Sequence, residues 1–122
     1  MTSAELQVAV LQELGVLASG ESANAADGAI VTAAYGKLYE MLLTEGLVSW
    51  TDSEDIPLFA AEPLTWMVAY LCCGSFGVTA QKKLELRAKG GLSVQPVSDA
   101  ERILRRQLAR GYVSAVQQTE YF

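Results

Sequence analysis

Four arginines on one late segment, Arg102, Arg105, Arg106 and Arg110, are the side chains of this chain best placed to do something chemical. At helical spacing they share one face, which is either simply the solvated side of a helix or a group of guanidiniums that holds phosphates or a partner's carboxylates. No recognition-helix signature or interleaved aromatics accompany them, so an acidic protein surface suits them better than the edges of bases. Asp52, Glu54 and Asp55 bring three carboxylates close together. They lack the alternating ligands, central glycine and distal glutamate of a calcium loop, and read instead as acids ahead of a helix N-terminus. Gly74-Ser75-Phe76-Gly77 has a superficial likeness to a nucleophile elbow, but the chain contains no histidine to take the serine's proton. Gly36-Lys37 lacks the spacing of a phosphate loop. Cys72 and Cys73 are adjacent; on a helix they diverge by about 100°, which disfavours a disulfide, and no second Cys or His pair exists to form a metal site. Both read as buried, reduced thiols. No catalytic residue, metal site or cofactor is expected, and the chain is not expected to be an enzyme.

The elements that must position these groups follow from composition and pattern. A chain of 122 residues, 51% hydrophobic and 19% charged, suits one domain with a true core. Its net charge of -5 is segregated: residues 1–62 sum to -9 and residues 63–122 to +4. Such polarity suits either head-to-tail packing of identical subunits or a merely solvated surface that no partner meets, and it argues against nonspecific duplex binding. Residues 63–81 carry no charge, yet they include Pro63, Gly74, Ser75, Gly77, Thr79 and Gln81, so a buried core helix is expected rather than a membrane span. With no signal-peptide pattern at the start, folding in a cytoplasm is expected.

The periodicities predict an all-α bundle of four to five helices. Thr2 and Glu5 have capping-box spacing, and Leu6, Val10, Leu14 and Leu17 form one stripe of a first helix that begins at Ser3. Gly20 to Asn24 reads as a loop. A second helix starts after Asn24 and stops at Gly46, with Ile30, Ala34, Leu38, Met41 and Leu42 on one side and Lys37 and Glu40 on the other. Pro57 sits at the first helical position of a third helix, which either begins anew or bends at Pro63. From Leu64 to Cys73 it is apolar nearly all round, and Gly74 to Gly77 ends it. Residues 80–89 form a basic helical segment, Gly90 to Pro96 breaks the pattern, and Ser98 with Glu101 caps a last helix that carries Ile103, Leu104 and Leu108 opposite the arginines. Residues 111–122 hold a single charge and end in aromatics. Tyr112, Val113, Val116, Tyr121 and Phe122 should therefore be buried, either against the protomer or as an extended anchor in another subunit.

Glu45-Gly46-Leu47, Trp50, Ile56-Pro57, Phe76-Gly77-Val78, Leu104-Arg105-Arg106 and the terminal Glu120-Tyr121-Phe122 together resemble the tailed-bacteriophage head-to-tail adaptors, also called head-completion or packaged-DNA-stabilisation proteins. The resemblance spans most of the chain. It implies a ring-forming helical body (residues 1–110) and an extended C-terminal docking tail (residues 111–122), in which Tyr112, Val113, Val116, Glu120, Tyr121 and Phe122 contact a portal protein. It further implies a homo-oligomeric, twelvefold ring at the head-tail joint of a virion, with the portal on one side, a tail or further connector protein on the other, and packaged DNA only passing through the channel. No membrane partner and no catalytic residue are implied. Gly90 to Pro96 departs from the continuous helix expected there, and the tail lacks prolines. The rival reading is a small DNA-binding or packaging-regulatory protein that uses Arg102, Arg105, Arg106 and Arg110.

Overall fold

The computed structural model describes the backbone of residues 1–120 and the side chains of residues 1–109. It contains five α-helices and, among the described residues, no strand: α1 (Ser3–Glu13), α2 (Ala25–Thr44), α3 (Leu58–Cys72), α4 (Ala80–Gly90) and α5 (Asp99–Glu120), with a single 3-10 turn at Cys73–Phe76.

Helix α3 is the hub, touching each of the other four, while α1 packs on α2 and α4 on α5. Its sequence dictates this position. Ala60, Leu64, Met67, Val68 and Ala69 have no exposed surface, and an all-round apolar helix in water must be enclosed by others. The one buried hydroxyl on it, Thr65, donates to the Ala61 carbonyl at 2.8 Å, so it needs no partner from the core. Pro63 neither starts nor ends the helix. It lies buried in the second turn, where its ring removes only the bond that the Phe59 carbonyl would receive.

The caps are largely those expected. Thr2 Oγ1 accepts from Glu5 N at 3.2 Å, and Glu5 accepts from Thr2 N at 3.1 Å. The Thr2 N–H, helped by the Thr2 hydroxyl, holds the Glu5 carboxyl below its usual range. Asn24 Oδ1 accepts from Asp27 N at 2.8 Å, and Thr79 Oγ1 from Lys82 N at 3.2 Å. Gly46 ends α2 at φ +70°, with Leu47 N bonded back to Leu42 O at 2.9 Å. Gly15 ends α1 the same way at φ +76°, so Leu14 and Leu17 pack from a turn rather than from a longer helix. On α2 the buried stripe is Val31, Ala34, Leu38, Tyr39 and Leu42; Met41 stands at its edge, exposed, and Ile30 is only partly covered.

The segment between α2 and α3 is fixed by Trp50. Its indole donates to Tyr35 Oη at 3.1 Å, its carbonyl accepts from the buried Tyr39 hydroxyl at 2.7 Å, and its ring meets Phe59 edge-on at 6.2 Å. Ile56 then exchanges two backbone bonds with Met1. Helix α5 crosses Gly111 as helix, without the break that the sequence suggests; one glycine costs a helix only about 1 kcal/mol. The docking-tail residues Tyr112, Val113, Val116 and Glu120 have no described side chains, and Tyr121 and Phe122 lie outside the described residues.

Helices α3 and α4 meet at backbone distance. A Cβ built on Gly90 would stand 2.4 Å from the Trp66 carbonyl carbon and oxygen and 2.7 Å from Met67 N. Gly36, mid-helix on the exposed side of α2, has nothing within 4 Å. Gly90→Ala should therefore lower unfolding free energy by about 3 kcal/mol or more, whereas Gly36→Ala should raise it by about 0.5–1 kcal/mol. Urea denaturation of the two variants checks both signs.

Candidate functional site

The α4–α5 connection brings the expected arginine edge together with carboxylates. Ser98, fully buried, caps α5 by accepting from Glu101 N at 3.2 Å. Glu101 does not return the bond to the cap. It turns instead to the preceding loop, takes the Ser93 N–H at 2.8 Å and binds Arg105 Nε at 3.0 Å. Glu101 is buried, so this one carboxylate ties the 91–98 loop to the second turn of the helix. Residues 91–98 are thus an ordered connection where the sequence shows only a break.

Arg102, Arg105 and Arg106 are all exposed, as expected of one helix face. Two of them already have partners. Arg105 reaches from Glu101 to Glu45 at the end of α2, at 3.5 Å, and Arg102 pairs with Asp99 at 3.6 Å and donates to the Val97 carbonyl. Arg106 makes no ion pair among the described residues. The side chain of Arg110 lies outside the described residues. The edge is therefore partly neutralised by the chain itself, which weakens it as a phosphate track. Beyond Leu104 the described part of α5 leaves the core: Leu108, expected on its buried side with Leu104, is 46% exposed, and Ile103 is only half-buried.

The other candidates resolve into structure. Asp52, Glu54 and Asp55 are exposed in the turn before α3, and Glu54 accepts from Thr51 Oγ1 at 2.9 Å. Among the described residues no group of three or more His, Cys, Asp or Glu side chains converges on a metal position. Ser75 is exposed on the 3-10 turn, which Gly77 closes at φ +63°. Lys37 is exposed on α2. Cys72 and Cys73 are free and buried, and burial pushes the Cys72 thiol up to about 11. Among the described residues no helix is long and apolar enough to cross a membrane.

Two features had no signal in the sequence. Lys89 pairs with Glu13 at 2.7 Å while lying 5.1 Å above the Trp66 ring, joining α4, α1 and α3. Leu58 and Leu84, which share no visible pattern, are 92% and 67% exposed. Among the described residues that carry the adaptor resemblance, Gly46 and Gly77 are left-handed helix stops, Leu47, Trp50 and Ile56 are buried in the α2–α3 connection, and Leu104 is the last buried residue of α5.

The fold and this edge define an all-helical five-helix domain with a charged, partly self-paired α5. Compared with protein-family models, with curated proteins and with solved structures, the chain gives no match in any of the three.

Glu101→Ala removes the one buried carboxylate that Ser93 N–H and Arg105 Nε share, leaving Arg105 only its exposed contact with Glu45, and should cost about 1–2 kcal/mol. Arg105→Ala removes a half-exposed partner while Ser93 N–H still donates to the buried Glu101, and should cost less, about 1 kcal/mol. Thermal denaturation of both variants measures the difference. For Cys72 the folded value lies above the ordinary 9.0, so folding favours the protonated thiol. Its contribution is whole below pH 9.0 and is lost as pH rises toward about 11. Stability should fall across that window, and fall less in Cys72→Ala; alkylation at neutral pH should be slow until the protein is unfolded.

Proposed function

We propose that this chain is a structural virion protein, a head-to-tail adaptor that forms a ring under the portal, docks on it through residues 111–122, helps retain packaged DNA and offers a platform for tail attachment. One observation carries the reading: after Leu104 the described part of α5 turns no further buried side chain to the core, with Arg105, Arg106, Leu108 and Ala109 exposed, which supports a C-terminal segment that serves a partner rather than the core. A five-helix body in which Gly46, Leu47, Trp50, Ile56 and Gly77 of the resemblance form the joints supports the same reading.

Weak contacts repeated on each protomer sum around a ring, because every contact after the first is made at high effective concentration. A tail with aromatic anchors suits that arrangement, since a few large side chains in pockets dominate such interfaces. No acid-base pair or nucleophile is needed for it. The rival use of the arginines, to track DNA phosphates, is weakened by the pairing of Arg102 and Arg105 with Asp99, Glu101 and Glu45.

The test is cosedimentation with the portal ring of the same virus, comparing the full chain with one ending at Arg110. Binding at a ring-like ratio that disappears on truncation is the expected result. A full-length chain that ignores the portal, yet binds duplex DNA with an affinity that falls steeply with salt, would replace the adaptor reading with the DNA-binding one.

A further inference from the structure

Two apolar surfaces of opposite electrostatic character stand unpartnered at the two ends of α3. At its N-terminal end Leu58 is 92% exposed and Phe59 42% exposed. The exposed carboxylates of Asp52, Glu54 and Asp55 precede this ridge, and Glu62 follows one turn after Leu58 on the same face. At the C-terminal end a shallow groove opens between α3 and α4, lined by Leu71, Lys83, Leu84 and Arg87. It shares Leu84 and Arg87 with a narrower cleft that continues under Val97 to Arg102. Leu71, Leu84 and Val97 are all exposed here. Of the basic side chains on this surface, Lys83 and Arg87 make no ion pair among the described residues, while Arg102 is shared with Asp99.

We infer that the acidic Leu58 ridge of one copy of this chain docks in the basic Leu84 groove of the next, head to tail. The choice of a second copy rests on complementarity: one surface carries exposed leucine among carboxylates and the other exposed leucine among cations, on the same molecule. Complementary potentials steer such surfaces together, and apolar burial then holds them. Geometry sets the mode. Leu58 and Leu71 are separated by roughly 20 Å along α3 and point to different sides of it, so a chain cannot bring its own ridge to its own groove. An interface built from two different patches repeats, and it yields rings or filaments rather than stopping at a dimer. The segregation of charge between residues 1–62 and 63–122 is then a property of an interface, with the acidic half of one protomer facing the basic half of its neighbour. This inference rests on the ring-forming part of the proposed function and not on portal docking.

Sedimentation velocity of the full chain tests it, with Leu58→Gln and Leu84→Gln as variants; both positions are exposed, and unchanged circular-dichroism melts confirm that the variants fold. The wild type should form species larger than a dimer as concentration rises, and added salt should weaken them. Each variant alone should need at least about tenfold higher concentration to associate, the effect of losing one buried apolar anchor. An equimolar mixture should give a dimer that grows no further, because one intact ridge and one intact groove remain. A wild type that stays monomeric at every concentration and salt, or associates as well with either substitution as without it, overturns the inference. Neither result alters the portal cosedimentation, so failure of this interface and failure of the docking reading are separable.

Discussion

Enclosure of α3 is the constraint on which the rest of the structure depends. A helix with no charge between Pro63 and Cys73 offers water little to bind, so the four other helices must cover most of it. The tightest of these contacts is with α4, where Gly90 lets that helix reach the backbone of Trp66 and Met67. That approach brings Lys89 over the Trp66 ring and onto Glu13. A larger residue at the crossing would move α4 outward and separate these groups together, so packing and electrostatics there are set by one missing side chain.

The polar network is subordinate to the same packing. Ser98 and Glu101 are buried because α5 lies against both α3 and α4, and a buried carboxylate must find donors. Glu101 finds them in Ser93 N and Arg105, and no buried side-chain nitrogen or oxygen among the described residues lacks a partner. The expected arginine stripe thereby changes character. Arg105 becomes a tie between α5 and Glu45 at the α2 terminus, and part of the charge that sequence alone leaves for a ligand is spent within the fold.

Much of the helical framework is legible in the sequence because its signals are local. Thr2 with Glu5, Asn24 with Asp27 and Ser98 act within three residues of the helix starts that they mark, and Gly46 needs only its own left-handed backbone to stop α2. What escaped depends on contacts between distant segments. Met41 and Val31 are both apolar residues of α2, and only the angle at which α2 meets its neighbours decides that Val31 is buried and Met41 is not. Gly90 reads as a helix breaker, yet it is the last residue of α4 and its spacing from Trp66 exists only once α3 and α4 have packed. Glu101 has the spacing of a capping-box partner, and the 91–98 loop supplies a competing donor that local spacing does not reveal.

The candidate surfaces were legible in charge and hidden in position. The acidic and basic halves can be counted from the chain, but α3 belongs to neither and carries both surfaces, one at each end. Pro57 is the N-cap of α3 and not, as its sequence position suggests, its first helical residue, so Leu58 opens the helix just after the acidic turn, exposed among carboxylates. At the other end the 3-10 turn and Gly77 redirect the chain into α4, whose Lys83, Leu84 and Arg87 face the groove beside Leu71. The core helix thus sets the separation and the relative orientation of two complementary patches. A rigid spacer between unlike patches fixes the rotation from one copy to the next, which is the quantity that decides whether a head-to-tail assembly closes.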